Sequence, residues 1–97
     1  MHIELIKFGA DLHGRPAGKD AYDSIALRLR EVKPEEIITV DFKEVRSFST
    51  SWLDEMLTPL QNMFGDRLRL RNVTNLSAKI SLQTLRDFGG KEFIIEE

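Results

Sequence analysis

The sequence predicts an α/β domain with about four mostly parallel or mixed strands and three helices largely on one face of the sheet. Short segments in which apolar and polar residues alternate are separated by longer segments whose apolar residues recur at helical spacing. Strands that are joined through helices favour parallel pairing by right-handed crossovers. Asp41 of one predicted strand and Arg67, Arg69 and Arg71 of another also lie on faces that a second helical layer would have to bury. The other face of the sheet is therefore expected to meet solvent or a partner.

The composition indicates a single domain over residues 1–97, because 97 residues with 41% hydrophobic content can build one modest core. The absence of cysteine excludes disulfides, thiolate chemistry and cysteine-ligated zinc. A net charge of −2 gives no general reason to bind nucleic acid or anionic lipid. The N-terminal segment lacks the pattern of a signal peptide, and no apolar run approaches the roughly 20 residues that span a membrane. We expect a cytoplasmic protein.

The first strand is predicted over residues 2–8, where apolar side chains alternate imperfectly until Gly9. Residues 9–18 contain three glycines and a proline, which is typical of a loop. Apolar residues then recur at helical spacing from about Lys19 to Val32, and Pro34 ends the pattern. These residues predict the first helix.

The second strand is predicted over residues 37–42, with its even-numbered side chains on one face and its odd-numbered side chains on the other. The second helix is predicted from about Trp52 to Phe64, with Gly65 as its C-terminal stop. Pro59 falls inside this helix and should kink it. The apolar stripe of the helix consists of Leu53, Met56, Leu57, Leu60 and Phe64.

The third strand is predicted over residues 67–71, where arginine and leucine alternate strictly. Asn75 is placed to cap a third helix, which Gly89 and Gly90 end. A short last strand is expected over residues 93–95. The apolar stripe of the third helix is expected to consist of Leu76, Ile80, Leu82, Leu85 and Phe88.

The junction between the second strand and the second helix is the best candidate for a functional site. Three hydroxyl residues, Ser49, Thr50 and Ser51, immediately precede the amphipathic run that begins at Trp52. A helix start of this kind presents hydroxyls beside unpaired backbone N–H groups. Such a surface can bind an anion or a partner.

The segment from Asp41 to Glu55 resembles a STAS-like family of unknown function. The family pattern is Asp-Phe, two residues, Val, a short turn, Ser, any residue, Ser, an aromatic residue and Asp-Glu. The residues that fit it are Asp41, Phe42, Val45, Ser49, Ser51, Trp52, Asp54 and Glu55. The resemblance extends from about Gly14 to Asn72.

More distantly, the junction resembles that of the bacterial anti-sigma-factor antagonists. Their STAS domains take a phosphate on a serine at the helix start, which switches binding to a kinase-like anti-sigma partner. By position, Thr50 or Ser51 would be the phosphoacceptor. Ser49 stands where the antagonists have an acid, and Trp52 stands where they have glycine. The resemblance thus implies the fold more directly than the phosphoswitch.

Other interpretations of these residues stay open. Ser51 with Asp54 approximates a capping box, which favours a structural role for Ser51. Trp52 is either an exposed binding anchor or a ring folded over residues 43–48. Asp54 and Glu55 point about 100° apart on a helix, so they do not form an acid/base pair, and they would repel a phosphate at close range. Pairing with the helix dipole explains them more simply.

Arg67, Arg69 and Arg71 could meet phosphates or an acidic protein, but no aromatic residues are interleaved with them, so a solvated or salt-bridged face is favoured. His2 and His13 lack the spacing of metal ligands. No nucleophile, base and orienting group can be assembled from the spacing, and we expect no catalytic residue, metal or cofactor.

The leading hypothesis is a non-catalytic regulatory module that binds a protein. Its partner-binding residues would be Ser49, Thr50, Ser51, Trp52, Asp54 and Glu55. The resemblance implies a partner related to a histidine-kinase-like ATPase. The alternative is a nucleic-acid-linked or anion-binding regulator that uses Arg67, Arg69 and Arg71. A homodimer through the open sheet face or an edge strand is left undecided.

Overall fold

A computed structural model describes residues 1–96, in which strands and helices alternate along much of the chain. The elements are β1 (His2–Glu4), β2 (Asp11–Leu12), α1 (Arg15–Leu29), β3 (Ile38–Asp41), β4 (Ser47–Phe48), α2 (Thr50–Phe64), β5 (Leu68–Arg71), α3 (Leu76–Gly89) and β6 (Ile94–Glu96). None of these helices is long and apolar enough to cross a lipid bilayer.

The main sheet has the order β1-β3-β5-β6, and each neighbouring pair is parallel. Register places Thr39 between His2 and Arg69, and Asp41 beside Arg71. Side chains on the other face, such as Val40, are buried beneath the helices. The predicted α/β sheet with helices on one face is therefore confirmed. Parallel sheets are usually covered on both faces, so this open polar face is unusual.

The first strand is shorter than the predicted span of residues 2–8. β1 ends at Glu4, and Leu5–Phe8 form a turn of 3₁₀ helix. Leu5 is fully buried, and the turn sends its side chain into the core while Lys7 stays exposed. The imperfect alternation in this segment reflects that change of backbone conformation.

The prediction of a loop over residues 9–18 was wrong. β2 lies within this segment and pairs with β4 in a second, two-stranded parallel sheet. Helix α1 begins at Arg15 and ends at Leu29, earlier at both ends than predicted. Pro16 lies in the first turn, where its missing N–H costs no helical hydrogen bond. Gly14 precedes the helix with φ of 90°, a conformation that favours glycine.

Helix α2 buries the whole predicted apolar stripe and continues through Pro59. It ends at Phe64, and Gly65 is its C-cap, as predicted, with φ of 55°. Its close neighbour is α1, because Gly18 leaves room for the two backbones to approach. A Cβ atom at Gly18 would lie only 2.6 Å from the carbonyl oxygen of Trp52. The glycine is therefore a requirement of this packing.

Helix α3 is rotated relative to the predicted stripe. Asn75 caps it as predicted, because its Oδ1 accepts from the Ala78 N–H at 2.7 Å. Leu82 and Leu85 are buried, but the rest of the buried face consists of the small residues Ala78 and Ser81. The predicted core residues Leu76, Ile80 and Phe88 are 71%, 54% and 89% exposed.

The orientation of α3 is fixed by polar contacts at its N-terminal end. Ser77 Oγ accepts from the Phe48 N–H at 2.8 Å and donates to the Phe48 carbonyl at 3.1 Å. Asn75 Nδ2 also donates to the Val45 carbonyl at 2.7 Å. These bonds attach α3 to β4 and its preceding loop, and small buried side chains allow the close approach. Hydrophobicity alone does not indicate either effect.

Candidate functional site

Two strand–helix junctions lie side by side in the structure. β2 and β4 pair in parallel, with Asp11 opposite Ser47 and Leu12 opposite Phe48, and each strand leads into a helix. The N-termini of α1 and α2 consequently lie at the same edge. The N–H of Gly14, just before α1, donates to Ser49 Oγ at 3.0 Å. The candidate site includes the loop before α1 as well as the start of α2.

Ser49 is the N-cap of α2, and the prediction that Ser51 caps the helix was wrong. Ser49 has extended backbone angles, and its Oγ accepts from the Trp52 N–H at 3.1 Å. The helix begins at Thr50, so Ser51 already lies within the first turn. A capping box between Ser51 and Asp54 therefore does not form. Ser49 accepts from Gly14 as well, which makes it a link between the two helix starts.

We define the hydroxyl edge as Ser49, Thr50 and Ser51. The Ser49 hydroxyl is fully used in hydrogen bonds within the protein, whereas the hydroxyls of Thr50 and Ser51 can still bind an outside partner. With two N–H groups donating to Ser49 Oγ, its own proton is directed to Ser51 Oγ, 3.1 Å away. Ser51 then keeps its proton for an outside acceptor. Thr50 Oγ1 has no hydrogen-bond partner within residues 1–96. Both residues are partly exposed.

Trp52 is 1% exposed, so its ring is not available as a binding anchor. The ring centre lies 6.1 Å from that of Phe8 and 6.3 Å from that of Phe48, in tilted arrangements. Of the two interpretations of Trp52, packing against the preceding segments is correct. The buried Trp52 side chain therefore attaches the first turn of α2, which carries the hydroxyl edge, to the core.

Asp54 and Glu55, both predicted to be partner-binding residues, form ion pairs with cations of the protein itself. Arg15 Nη1 lies 3.0 Å from Asp54 Oδ2 and 2.8 Å from Glu55 Oε1. Lys91 Nζ and Thr58 Oγ1 each lie 2.6 Å from Asp54 Oδ1. The two carboxylates converge on one guanidinium because α1 begins beside them. Positions about 100° apart on a helix can share one long side chain.

The pKa of Asp54 is lowered from 3.8 to about 2. Burial by itself would raise this pKa, but the hydrogen bonds from Lys91, Thr58 and Arg15 outweigh the burial. Asp54 therefore stays ionised at neutral pH. Its chemistry is that of a fixed negative charge that links α2 to α1 and to the segment after α3.

A polar cluster beside the hydroxyl edge was missed by the sequence analysis. Ser47 Oγ donates to Asp11 Oδ1 at 2.8 Å and lies 2.8 Å from His13 Nε2. Arg46 Nη2 donates to Asp11 Oδ2 at 2.5 Å. These bonds from Arg46 and Ser47 lower the pKa of Asp11. No sequence signal joins the residues, because only the pairing of two short strands brings them together.

The three arginines lie in different local environments. Arg67 precedes β5, where it donates to a carbonyl of the α1–β3 loop at 3.1 Å and lies over the Phe64 ring. Arg69 Nε donates to a carbonyl of the preceding turn at 2.8 Å. Arg71 pairs in register with Asp41 on the open face and is exposed. Arg67 and Arg69 therefore each use one guanidinium N–H group within the protein itself.

The sequence model of one family, described as a STAS-like domain of unknown function (DUF4325), matches residues 17–78. The match includes most of α1, the hydroxyl edge and the start of α3. It leaves out Arg15 and Lys91, the two cations that bind Asp54. Neither a curated protein nor a solved structure matches the chain.

Proposed function

The chain belongs to the family of STAS-like domains of unknown function, and from this premise we propose that it is a non-catalytic regulatory module that binds a protein partner through its hydroxyl edge. The observation that carries the proposal is that the three adjacent hydroxyls have different hydrogen-bonding roles. Ser49 caps α2 and binds the loop before α1. Thr50 and Ser51 are left available to a partner at the same helix start.

A phosphoswitch at Thr50 or Ser51 is the finer part of the proposal. A phosphate at the first turn of α2 would lie near the unpaired amides of the helix start. The two acids that would repel it are already paired with Arg15, and Asp54 is also paired with Lys91. This pairing supports the switch, since it weakens the repulsion. The resemblance to anti-sigma-factor antagonists makes a histidine-kinase-like ATPase the proposed partner.

The test compares three alanine variants of the hydroxyl edge. Thr50→Ala and Ser51→Ala should lose partner binding and keep the free energy of unfolding nearly unchanged. Ser49→Ala is the matched control, and it should lose roughly 0.5–2 kcal/mol of stability because the cap is removed. Partner binding is measured by quantitative mass spectrometry of proteins that co-purify with each tagged variant from native cells. Phosphorylation is mapped on the same three residues.

Retention of every co-purifying protein by both Thr50→Ala and Ser51→Ala would refute the hydroxyl edge as the binding surface. A phosphate on either residue in the native protein would support the switch. The arginine alternative is less favoured, because Arg67 and Arg69 each donate one N–H group to a backbone carbonyl. Salt-dependent binding of DNA or RNA that Arg71→Gln abolishes would nevertheless restore it.

A further inference from the structure

Within residues 1–96, β1 and β6 are the two edge strands of the main sheet, and they meet solvent differently. In β1 the apolar Ile3 is buried, and the exposed residues His2 and Glu4 are polar. In β6, Ile94 is 39% exposed and Ile95 is 49% exposed. Charged side chains commonly protect an edge strand, whereas exposed apolar side chains beside free backbone groups form a template for a further strand. The edge that can accept such a strand is therefore β6.

Apolar surface beside β6 continues onto the helix-covered face of the sheet. Ile95 lies on that face, because its register partner Leu70 is buried there. A groove between α3 and β6 is lined by Ile95 together with Leu82 and Phe93. Helix α3 covers Ile95 only in part, so a strand added to β6 with an apolar side chain on this face would bury more apolar surface.

The charges around the groove are balanced. Two of the cations that line it are paired within the protein, as Arg86–Asp87 and Lys91–Asp54. Lys79 and Glu92 also line the groove, and neither forms an ion pair within residues 1–96. Lys79 is near the start of α3, which follows β5, whereas Glu92 directly precedes β6. Because β5 and β6 are parallel, these two opposite charges lie toward opposite ends of the groove.

A second copy of β6, paired antiparallel about Ile95, complements this edge. The two-fold axis places Ile95 opposite Ile95 of the second copy on the helix-covered face, and Ile94 opposite Glu96 on the open face. No like charges then lie directly opposite each other within the strand pair. The same axis brings Glu92 of each copy to the end of the groove where Lys79 of the other copy lies. An interface of this kind is complementary to itself in shape and in charge.

We propose that β6 is the interface of a homodimer, in which two copies pair their β6 strands antiparallel about Ile95 and join two four-stranded sheets into one. This inference is independent of the hydroxyl edge. It adds self-association to the binding of a different protein. Because the paired strands are only three residues long, the interface is small, and we expect a dissociation constant between about 10 μM and 1 mM.

Sedimentation equilibrium over about 10 μM to 1 mM protein measures this association. Ile95→Lys should raise the dissociation constant about tenfold or more, because it places two like charges opposite each other on the two-fold axis. Ile37→Lys is the matched control, since Ile37 is 40% exposed and lies outside the groove. This control should associate like the wild type. Thermal unfolding verifies that each variant folds.

An exchange of charges tests the register of the two copies. Lys79→Glu and Glu92→Lys should each weaken the dimer, because each leaves like charges at both contacts between the grooves. The double variant Lys79→Glu/Glu92→Lys should recover the wild-type dissociation constant, since the opposite signs are restored. These exposed substitutions test the proposal even if Ile95→Lys does not fold.

Three results would overturn the proposal. They are a wild-type protein that stays monomeric at about 1 mM, an Ile95→Lys variant that associates like the wild type, and a charge-exchanged double variant that associates no better than the single variants. Weakening by Ile37→Lys equal to that by Ile95→Lys would also contradict it, because the association would then not depend on β6.

Discussion

Ser49 shows how a backbone group from a distant segment can decide between neighbouring hydroxyls. The local sequence offers Ser49 and Ser51 as alternative caps, and the acid at Asp54 favours Ser51. The structure selects Ser49, because its Oγ also accepts from the Gly14 N–H, 35 positions earlier. That contact depends on the pairing of β2 with β4. The local sequence pattern correctly predicted a helix start at this site. It could not show which of the three hydroxyls caps the helix.

The lowered pKa of Asp54 predicts how the free energy of unfolding changes at acid pH. Its pKa is about 2 in the folded protein and ordinarily 3.8, so its ion pairs stabilise the fold fully above pH 3.8. This contribution is lost as the pH falls through about 2. We expect Asp54→Asn to be less stable than the wild type at neutral pH and to show a shallower loss of stability between pH 4 and pH 2.

The measurement for Asp54 is urea unfolding at a series of pH values. Asp20→Asn is the control, because Asp20 is an exposed carboxylate on α1 that forms no ion pair within residues 1–96. This control should follow the wild-type profile. An Asp54→Asn profile parallel to that of the wild type over the same pH range would show that the ion pairs contribute no pH-dependent stability.

At the level of whole elements, the packing of α1 against α2 depends on one glycine, Gly18. Gly18→Ala should destabilise the protein by about 1–3 kcal/mol, since the new Cβ would meet the Trp52 carbonyl at 2.6 Å and force the helices apart. Gly89→Ala is a matched control in α3, where the nearest atoms lie at 3.7 Å. It should be neutral or slightly stabilising. Chemical denaturation measures both free energies.

The rotation of α3 makes a second prediction at this scale. Leu85→Ala should cost about 2–5 kcal/mol because Leu85 is buried, whereas Phe88→Ala should change stability by less than about 0.5 kcal/mol because Phe88 is 89% exposed. Thermal or urea unfolding distinguishes the two. A large loss for Phe88→Ala would mean that the stripe predicted from the sequence is the buried one.

At the scale of the molecule, strong periodicity predicted the main sheet and the three helices. The alternation in residues 37–42 and 67–71 corresponds to β3 and β5, and the stripe of α2 was correct throughout. β2 and β4 were not predicted, because a strand of two residues is too short to show an alternation of apolar and polar side chains. The cation pairs of Asp54 escaped it because Arg15 and Lys91 approach only in the folded chain. Long-range contacts therefore account for most of what the sequence did not reveal.

The connection of all neighbouring strands through helices has a consequence for how the chain folds. No ladder of the main sheet can close as a local hairpin, because each parallel pair encloses at least one complete helix. Loop closure on this scale loses chain entropy before any strand contact forms. We therefore expect folding to be slower than that of a helical bundle of similar length. Until β3 and β5 pair, their apolar side chains, which the folded protein buries, stay exposed and can drive aggregation of the chain.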